Sequence, residues 1–258
     1  MKRILITGAN SYIGMSFEKY MAQWPESYQV DTVDMIDGTW REKSFANYDA
    51  VFHVAGIAHQ KETAENAHLY YKVNRDLAAD TARKAKEDGV RQFIFLSTMA
   101  VYGVEEGAIS LDTVPSPKSH YGKAKLEAEM QMEQLRAESF SLAVLRPPMV
   151  YGEGCKGNYQ SLIKLAKLMP VFPDYRNKRS MICIGKLCMV IKEMVDTCAD
   201  GVFLPQDDAY VCTCTMVQNI AKDMGRDLKL WKILNPAVSL AKLLPIGKKA
   251  FGDLYYEK

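Results

Sequence analysis

The first 146 residues alternate between short apolar runs and longer stretches with helical spacing. The apolar runs are rich in β-branched and aromatic residues and predict strands. The stretches between them repeat apolar residues every three or four positions, which predicts helices. We expect strands at 3–7, 28–35, 50–55, 92–97 and 141–146, and helices at 13–23, 64–88 and 121–138. Strands that alternate with helices favour a parallel sheet with helices on both faces.

After Gly152 the pattern loosens, and prolines interrupt it at five positions between 170 and 245. Helices are predicted at 158–168, 186–197 and 216–224, with a strand at 180–184. This second half predicts a small lobe that rests on the strand ends and is interleaved with the last part of the sheet.

Composition excludes several classes of protein. With 33 basic and 31 acidic residues the net charge is +2, so the chain has no global electrostatic reason to bind nucleic acid. A content of 48% hydrophobic and 25% charged residues is that of a folded domain. The six cysteines lack the spacing of a zinc site, so we expect reduced thiols and no metal. The first residues do not form a signal peptide, and no apolar run is long enough for a membrane span, so we expect a cytoplasmic protein.

The first predicted strand ends in TGANSYIG, a strand, turn and helix that would hold a pyrophosphate at the helix N-terminus. Gly8 permits the tight turn, and Gly14 permits close packing of helix on strand. Ser11 stands where the usual pattern has a middle glycine, so its Cβ must be accommodated or its hydroxyl must bond a phosphate oxygen. The remaining candidate cofactor contacts in the loop are Asn10, Tyr12 and Ile13. The alternative is an ordinary turn without a ligand.

Asp34 lies 20 residues beyond Gly14, at the expected end of the second strand. A carboxylate there would bind the adenosine ribose hydroxyls and repel a 2′-phosphate, which favours NAD over NADP. The alternative is a solvated turn residue, since Asp31 and Asp37 are nearby.

Tyr121 and Lys125 are spaced i, i+4 and share one helix face. A lysine ammonium beside a tyrosine favours the phenolate, which can exchange a proton with a sugar hydroxyl while a hydride moves at the same carbon. Thr98 follows an apolar strand and would place a hydroxyl beside Tyr121. The alternative is a surface helix with solvated lysines.

Together these segments resemble the extended short-chain dehydrogenase/reductase family of nucleotide-sugar epimerases, dehydratases and 4-keto-reductases. The resemblance is carried by TGANSYIG, VFHVAGIAH, YYKVNRDLA, GVRQFIFLSTMAVYG, YGKAK and LRPPMVYGEG. It implies an α/β fold: a Rossmann-type doubly wound parallel sheet over residues 1–154, followed by a small C-terminal substrate-binding lobe over 155–258. A homodimer through the helices at 70–88 and 121–138 would also resemble the family.

The resemblance also assigns roles to residues. Thr98, Tyr121 and Lys125 would be the catalytic residues, and the last two would also contact the cofactor. Ala55 and Gly56 would line the cofactor, Asn74 would support the site, and Pro147 would close over the nicotinamide. Thr98, Asn158 and Arg179 would contact the substrate, a nucleoside-diphosphate sugar.

The reaction is expected at C4 of the sugar, most simply a UDP-sugar. One reading is an epimerase that oxidises C4 transiently; the other is a 4-keto-reductase that consumes NADH or NADPH. A 4,6-dehydratase is disfavoured, because Met99 and Ala100 follow Thr98 where that class carries an Asp-Glu pair. A dinucleotide-binding sensor without turnover is the reading from a different class.

Three further features have two interpretations each. Six basic residues and one acidic residue, Asp227, lie between 226 and 251 and interleave with tryptophan and leucines, so this stretch is either a solvated basic face or a weak contact with an anionic membrane surface. His53 is expected to be a core residue with its hydrogen bonds satisfied, and His120 a helix-entry residue. His59 lies past a strand end and is a candidate substrate contact.

Overall fold

A computed structural model describes residues 1–58 and 60–258, and gives no side-chain description for residues 245 and 246. His59 therefore lies outside the described residues. The α-helices are α1 (Tyr12–Met21), α2 (Ala67–Tyr70), α3 (Ala78–Glu87), α4 (His120–Glu133), α5 (Asn158–Leu168), α6 (Ile184–Thr197), α7 (Thr213–Asp223), α8 (Asn235–Ala241) and α9 (Pro245–Phe251). The strands are β1 (Lys2–Thr7), β2 (Tyr28–Val33), β3 (Ala50–His53), β4 (Gln92–Leu96), β5 (Gly107–Ile109), β6 (Ser141–Leu145), β7 (Met149–Tyr151), β8 (Val171–Pro173), β9 (Met181–Cys183), β10 (Gly201–Phe203), β11 (Lys229–Trp231) and β12 (Leu254–Tyr256).

Six strands form one parallel sheet in the order β10-β6-β4-β3-β1-β2. The chain runs from β1 to β2 on one side and to β3 on the other, so the strand order reverses at β1. The carboxyl ends of β1 and β3 therefore flank the crevice where open α/β sheets bind ligands. The predicted α/β class with a doubly wound parallel sheet is confirmed.

The sheet is covered on both faces because successive strand residues point to opposite sides. Leu5 packs in a cluster with Ala82 of α3 and Ala128 of α4, while its neighbour Ile4 packs with Phe17 of α1 and Leu187 of α6. Each central strand must supply apolar residues to two layers of helices. This explains why the strands appear in the sequence as continuous apolar runs.

The second half contributes β10 to the main sheet, beside β6, and forms the two-stranded sheet β11-β8. Two further two-stranded sheets, β12-β5 and β7-β9, each pair a strand of the second half with a strand of the first. A third apolar cluster, built around α5 and α7, forms the core of the second half. The division at residue 154 stays a prediction. All six cysteines have free thiols. Within the described part of the chain, no helix combines the length and apolar character needed to cross a bilayer.

The helix predicted at 64–88 differs from the expectation. It begins at Ala67, and residues Tyr71–Leu77 form a π-helical segment between α2 and α3. Wide turns of this kind are rare and occur mainly at functional sites. The hydrophobic spacing could not reveal it, because one inserted residue changes the period only locally.

His53 is fully buried at the end of β3, as expected for a core histidine, but only one ring nitrogen has a partner. Its Nδ1 lies 2.8 Å from the Thr7 hydroxyl, and its Nε2 has no hydrogen-bond partner among the described residues. Burial lowers the pKa of His53 from 6.5 to about 3, with a smaller contribution from Lys125. The folded protein therefore holds this imidazole in its neutral form.

This depressed pKa predicts acid sensitivity. Between pH 3 and 6.5 the unfolded chain binds a proton at His53 that the folded chain does not, so the stability contribution is complete above pH 6.5 and is lost as the pH falls toward 3. His53→Gln removes this titration. From about pH 7.5 to about pH 5, the wild type should lose about 2 kcal/mol more free energy of unfolding than the variant. Urea unfolding at both pH values measures this, and equal losses would contradict it.

Candidate active site

The turn after β1 is held close to β2 and β3. Gly8 has φ of +114°, a conformation that side chains other than glycine rarely adopt. Its N–H and that of Ala9 both donate to the Val33 carbonyl, at 2.9 and 3.1 Å. A Cβ added at Gly8 would lie only 2.7 Å from the Ala55 backbone nitrogen. The backbone at this switch point therefore leaves no room for a residue larger than glycine.

Ser11, where a glycine was expected, is the N-cap of α1. Its hydroxyl oxygen accepts a hydrogen bond from the Gly14 N–H at 3.2 Å. The structure accommodates this side chain and uses its oxygen to stabilise the helix terminus, a role that the sequence did not suggest. A Cβ at Gly14 would approach the side chains of Ile6 and Val54 to 3.2 Å, so α1 packs closely on β1 and the end of β3.

The other loop residues have different surroundings. Asn10 is exposed with φ of +64°, and Ile13 packs against the apolar cluster of α1 and α6. Tyr12 donates its hydroxyl hydrogen to the Glu153 carbonyl at 2.9 Å, and burial raises the pKa of Tyr12 to about 12. This phenol therefore ties the turn after β1 to the loop after β7, a contact that the sequence did not suggest.

Asp34 follows β2 directly and is exposed beside the Gly8 turn. Its Oδ1 accepts the Ile36 N–H at 2.8 Å, which fixes the carboxylate at the strand end. Together the open crevice, the free N–H groups at the start of α1 and this carboxylate match the phosphates and ribose of a dinucleotide.

Asn74 connects the π-helical segment to the loop after β3. It is fully buried, its Oδ1 accepts from the Ile57 N–H at 2.8 Å, and its Nδ2 donates to the Ile57 carbonyl at 2.9 Å. A Cβ at Gly56 would lie 2.7 Å from Asn74 Oδ1 and 3.5 Å from Lys125 Nζ. The structure therefore brings Gly56, Asn74 and Lys125 into direct proximity, although they come from three separate elements.

Lys125 points inward from α4 and is only 4% exposed. Its ammonium donates to the Leu96 carbonyl at 2.8 Å and lies 4.5 Å from the ring centroid of Phe95. Burial lowers the pKa of Lys125 to about 7, against an opposing effect of Glu129. This lysine is not on a solvated surface, so the surface-helix alternative for Tyr121 and Lys125 is wrong.

Tyr121 lies half-buried in the first turn of α4. Burial raises the pKa of Tyr121, a hydrogen bond with the Thr98 hydroxyl lowers it in part, and Tyr70 raises it further. Thr98 Oγ1 also accepts the Ala100 N–H at 3.2 Å, which orients this hydroxyl. Thr98 and Tyr121 are therefore neighbours, and Lys125 lies one helical turn further along.

The N-terminus of α4 has an acceptor that sequence reasoning missed. Glu62 accepts the N–H groups of His120 and Tyr121 at 2.9 and 3.0 Å, and Ser119 caps the next amide. His120 begins the helix, as expected, and its Nδ1 bonds the Tyr71 hydroxyl at 3.1 Å. The position of Tyr121 thus depends on a residue 59 positions earlier in the chain.

The remaining predicted residues lie around this centre. Pro147 is buried and its carbonyl accepts the Met99 N–H at 2.9 Å. Asn158 is the exposed first residue of α5, and Arg179 donates to the Gly252 carbonyl at 3.0 Å. Within the described residues, neither Asn158 nor Arg179 hydrogen-bonds to Thr98, Tyr121 or Lys125. A cluster of three or more metal-ligating side chains is also absent from the described ranges.

Sheet order and turn geometry define a Rossmann-type α/β protein. More narrowly, the chain belongs to the NAD dependent epimerase/dehydratase family, whose model matches residues 4–170.

Curated relatives and solved structures agree with this assignment. The chain is 30% identical to a UDP-glucose 4-epimerase of Vibrio cholerae, over 91% of this chain and 79% of that protein. It is 27% identical to an Escherichia coli O157:H7 protein named N-acetyl-alpha-D-glucosaminyl-diphospho-ditrans,octacis-undecaprenol 4-epimerase, over 77% of this chain and 64% of that protein. A Bacillus anthracis dTDP-4-dehydrorhamnose reductase in complex with NADP superposes with a TM-score of 0.74 at 18% identity, covering 97% of this chain and 99% of that chain.

Proposed function

We propose that this protein is a 4-epimerase of a diphosphate-linked sugar, most simply a UDP-sugar. The observation that carries the proposal is the position of the Tyr121 phenol, which lies beside the Thr98 hydroxyl and one helical turn from the buried ammonium of Lys125. A proton acceptor, a hydrogen-bonding hydroxyl and a fixed cation are the groups needed to oxidise a secondary alcohol. The family and the 30% identity to a UDP-glucose 4-epimerase support the same reaction.

In the proposed reaction, Tyr121 removes the proton of the C4 hydroxyl as the C4 hydride leaves, and C4 becomes a ketone. Bound NAD supplies the acceptor of that hydride and its donor on return. The sugar turns in the site, the hydride returns to the opposite face, and Tyr121 gives the proton back. Burial raises the pKa of Tyr121 and therefore disfavours the phenolate. The charge of Lys125 is needed to offset this effect of burial. The Thr98 hydroxyl donates to the oxygen at C4.

The cofactor proposal is NAD, held by the Gly8–Gly14 turn, Ala55, Gly56, Asn74, Lys125 and Pro147. The exposed carboxylate of Asp34 would accept the ribose hydroxyls and repel a 2′-phosphate, so NADP is the weaker alternative. For the substrate, Arg179 is half-buried and makes no ion pair with a described carboxylate, so its guanidinium is available for a diphosphate. Asn158, at the N-terminus of α5, would bind the same group.

A second substrate class is suggested by the E. coli relative, whose name specifies a sugar on an undecaprenyl diphosphate. Such a lipid and a UDP-sugar share the sugar diphosphate, the part that Arg179 and Asn158 would bind. Both should therefore be assayed. In neither case is dehydration expected, because Met99 and Ala100 carry no group that can transfer a proton.

The nucleotide released on denaturation tests the reaction type. An epimerase regenerates its cofactor at each turnover, so we expect stoichiometric NAD⁺, and conversion of UDP-sugars at C4 followed by NMR without added nucleotide. An empty site that binds NADH or NADPH reversibly would instead identify a 4-keto-reductase. Dinucleotide binding without conversion of any sugar would favour the sensor without turnover, and failure to bind any dinucleotide would overturn all three readings.

A further inference from the structure

The stretch 228–252, which we name the basic-apolar segment, has a one-sided composition. It contains no acidic residue in 25 positions. Its five lysines are Lys229, Lys232, Lys242, Lys248 and Lys249. The segment comprises β11, a 3-10 turn, α8 and α9. Its charge is therefore positive over its whole length.

Large apolar side chains of this segment face solvent. The exposed fractions are 48% for Trp231, 79% for Ile233, 69% for Leu240, 75% for Leu243 and 60% for Leu244. The segment is nevertheless anchored, since Val238 is buried and Phe251 packs against Phe172 and Tyr175. A merely solvated basic face would not expose five large apolar residues within 14 positions.

The lysines around these apolar residues are mostly unneutralised. Lys242 pairs with Glu106 at 2.6 Å. In contrast, Lys229, Lys232 and Lys249 are exposed and have no acidic partner within 4 Å among the described residues. A second copy of the same segment would oppose lysines to lysines, which disfavours self-association through this face.

We propose that the basic-apolar segment docks this protein on the surface of an anionic lipid bilayer. Exposed tryptophan, isoleucine and leucine side chains insert at the level of the headgroups, and lysines beside them bind lipid phosphates. Charge complementarity selects an anionic bilayer over a neutral one. The segment lies on the surface and does not span it.

The docking surface adjoins the stretch that holds Arg179. Asn235 Nδ2 donates to the Asp174 carbonyl at 3.0 Å, and Arg179 donates to the Gly252 carbonyl at 3.0 Å. Docking would therefore bring Arg179, a proposed diphosphate-binding residue, close to the lipid headgroups. The docking itself requires neither the proposed reaction nor its cofactor.

Sedimentation of the full chain with lipid vesicles tests the proposal. We expect binding to vesicles of phosphatidylcholine mixed with phosphatidylglycerol, at least about tenfold weaker binding to phosphatidylcholine alone, and loss of binding as salt is raised. No binding to the anionic vesicles at low salt would overturn the proposal.

Two variants locate the surface. Lys232→Glu with Lys249→Glu, and separately Ile233→Ser with Leu243→Ser, should each weaken binding about tenfold or more while C4 conversion of a UDP-sugar is unchanged. The matched control is Met15→Ser with Lys19→Glu on α1, an exposed apolar residue and an exposed lysine in the other half. Equal binding of all variants would refute docking through this segment. A concentration-dependent dimer that Leu243→Ser dissolves would show instead that a second copy covers it.

Discussion

Tyr121→Phe should lower kcat for C4 epimerisation about a thousandfold, within the range of about 10²- to 10⁴-fold typical of a lost acid–base group. The variant removes one oxygen and leaves the ring in its edge-on contact with Tyr70. Helix α4 keeps its caps from Glu62 and Ser119, so the fold and the dinucleotide affinity should change little. Turnover by NMR and NAD affinity by calorimetry measure the two effects separately.

Tyr70→Phe is the matched control for this change. It removes a phenol oxygen 3.2 Å from the Gln60 carbonyl, with its ring centroid 6.4 Å from that of Tyr121. Loss of this hydroxyl should alter kcat by no more than a few-fold. Normal turnover in Tyr121→Phe would show that another group moves the proton, and a similar loss in both variants would indicate a general disturbance of α4.

The parallel sheet was predictable because its pattern is local. Each central strand is buried on both faces, so it appears as an apolar run, and the helices that cover it show their own spacing. The turn at Gly8 was predictable for the same reason, since its glycines lie within eight residues of one another. The placement of Lys125 on the same helix face as Tyr121 was also predictable, because the two residues are spaced i, i+4.

Contacts between distant segments could not be predicted. Glu62 caps α4 across 58 and 59 residues, and Tyr12 reaches the Glu153 carbonyl across 141. The same applies to Ser11, whose role as the cap of α1 depends on the exact path of the turn. The exposure of Leu243 and Leu244 also requires the tertiary structure, because a leucine-rich stretch with helical spacing predicts burial equally well.

A buried ion pair behind the site is the largest feature that the sequence did not reveal. Arg146, at the end of β6, is 8% exposed and pairs with Glu129 of α4, which is 6% exposed. Arg146 also donates to the Tyr102 hydroxyl at 2.9 Å, and Ser97 donates to Glu129. The pair joins the ends of β4 and β6 to the helix that carries Tyr121 and Lys125.

Arg146→Met should lower the free energy of unfolding by about 3–5 kcal/mol, because it leaves the Glu129 carboxylate buried without a counter-charge. Urea unfolding at neutral pH measures the loss. The double variant Arg146→Met with Glu129→Leu removes both charges and should regain most of the lost stability. A deficit of about 1 kcal/mol should remain for each of the two hydroxyls, on Tyr102 and Ser97, that lose their partners. If the free energy of unfolding of Arg146→Met lay within about 1 kcal/mol of the wild-type value, the ion pair would not stabilise the fold.

The double variant also separates stability from chemistry. Glu129 lies one turn beyond Lys125 and favours its charged form, so its removal should lower the Lys125 pKa below about 7. At neutral pH fewer molecules would then carry the ammonium that stabilises the Tyr121 phenolate. We expect kcat of the stable double variant to fall several-fold at pH 7, measured as a pH profile. Lower pH should not restore it, because acid that charges Lys125 also protonates the Tyr121 phenolate. An unshifted profile would mean that Glu129 serves the fold alone.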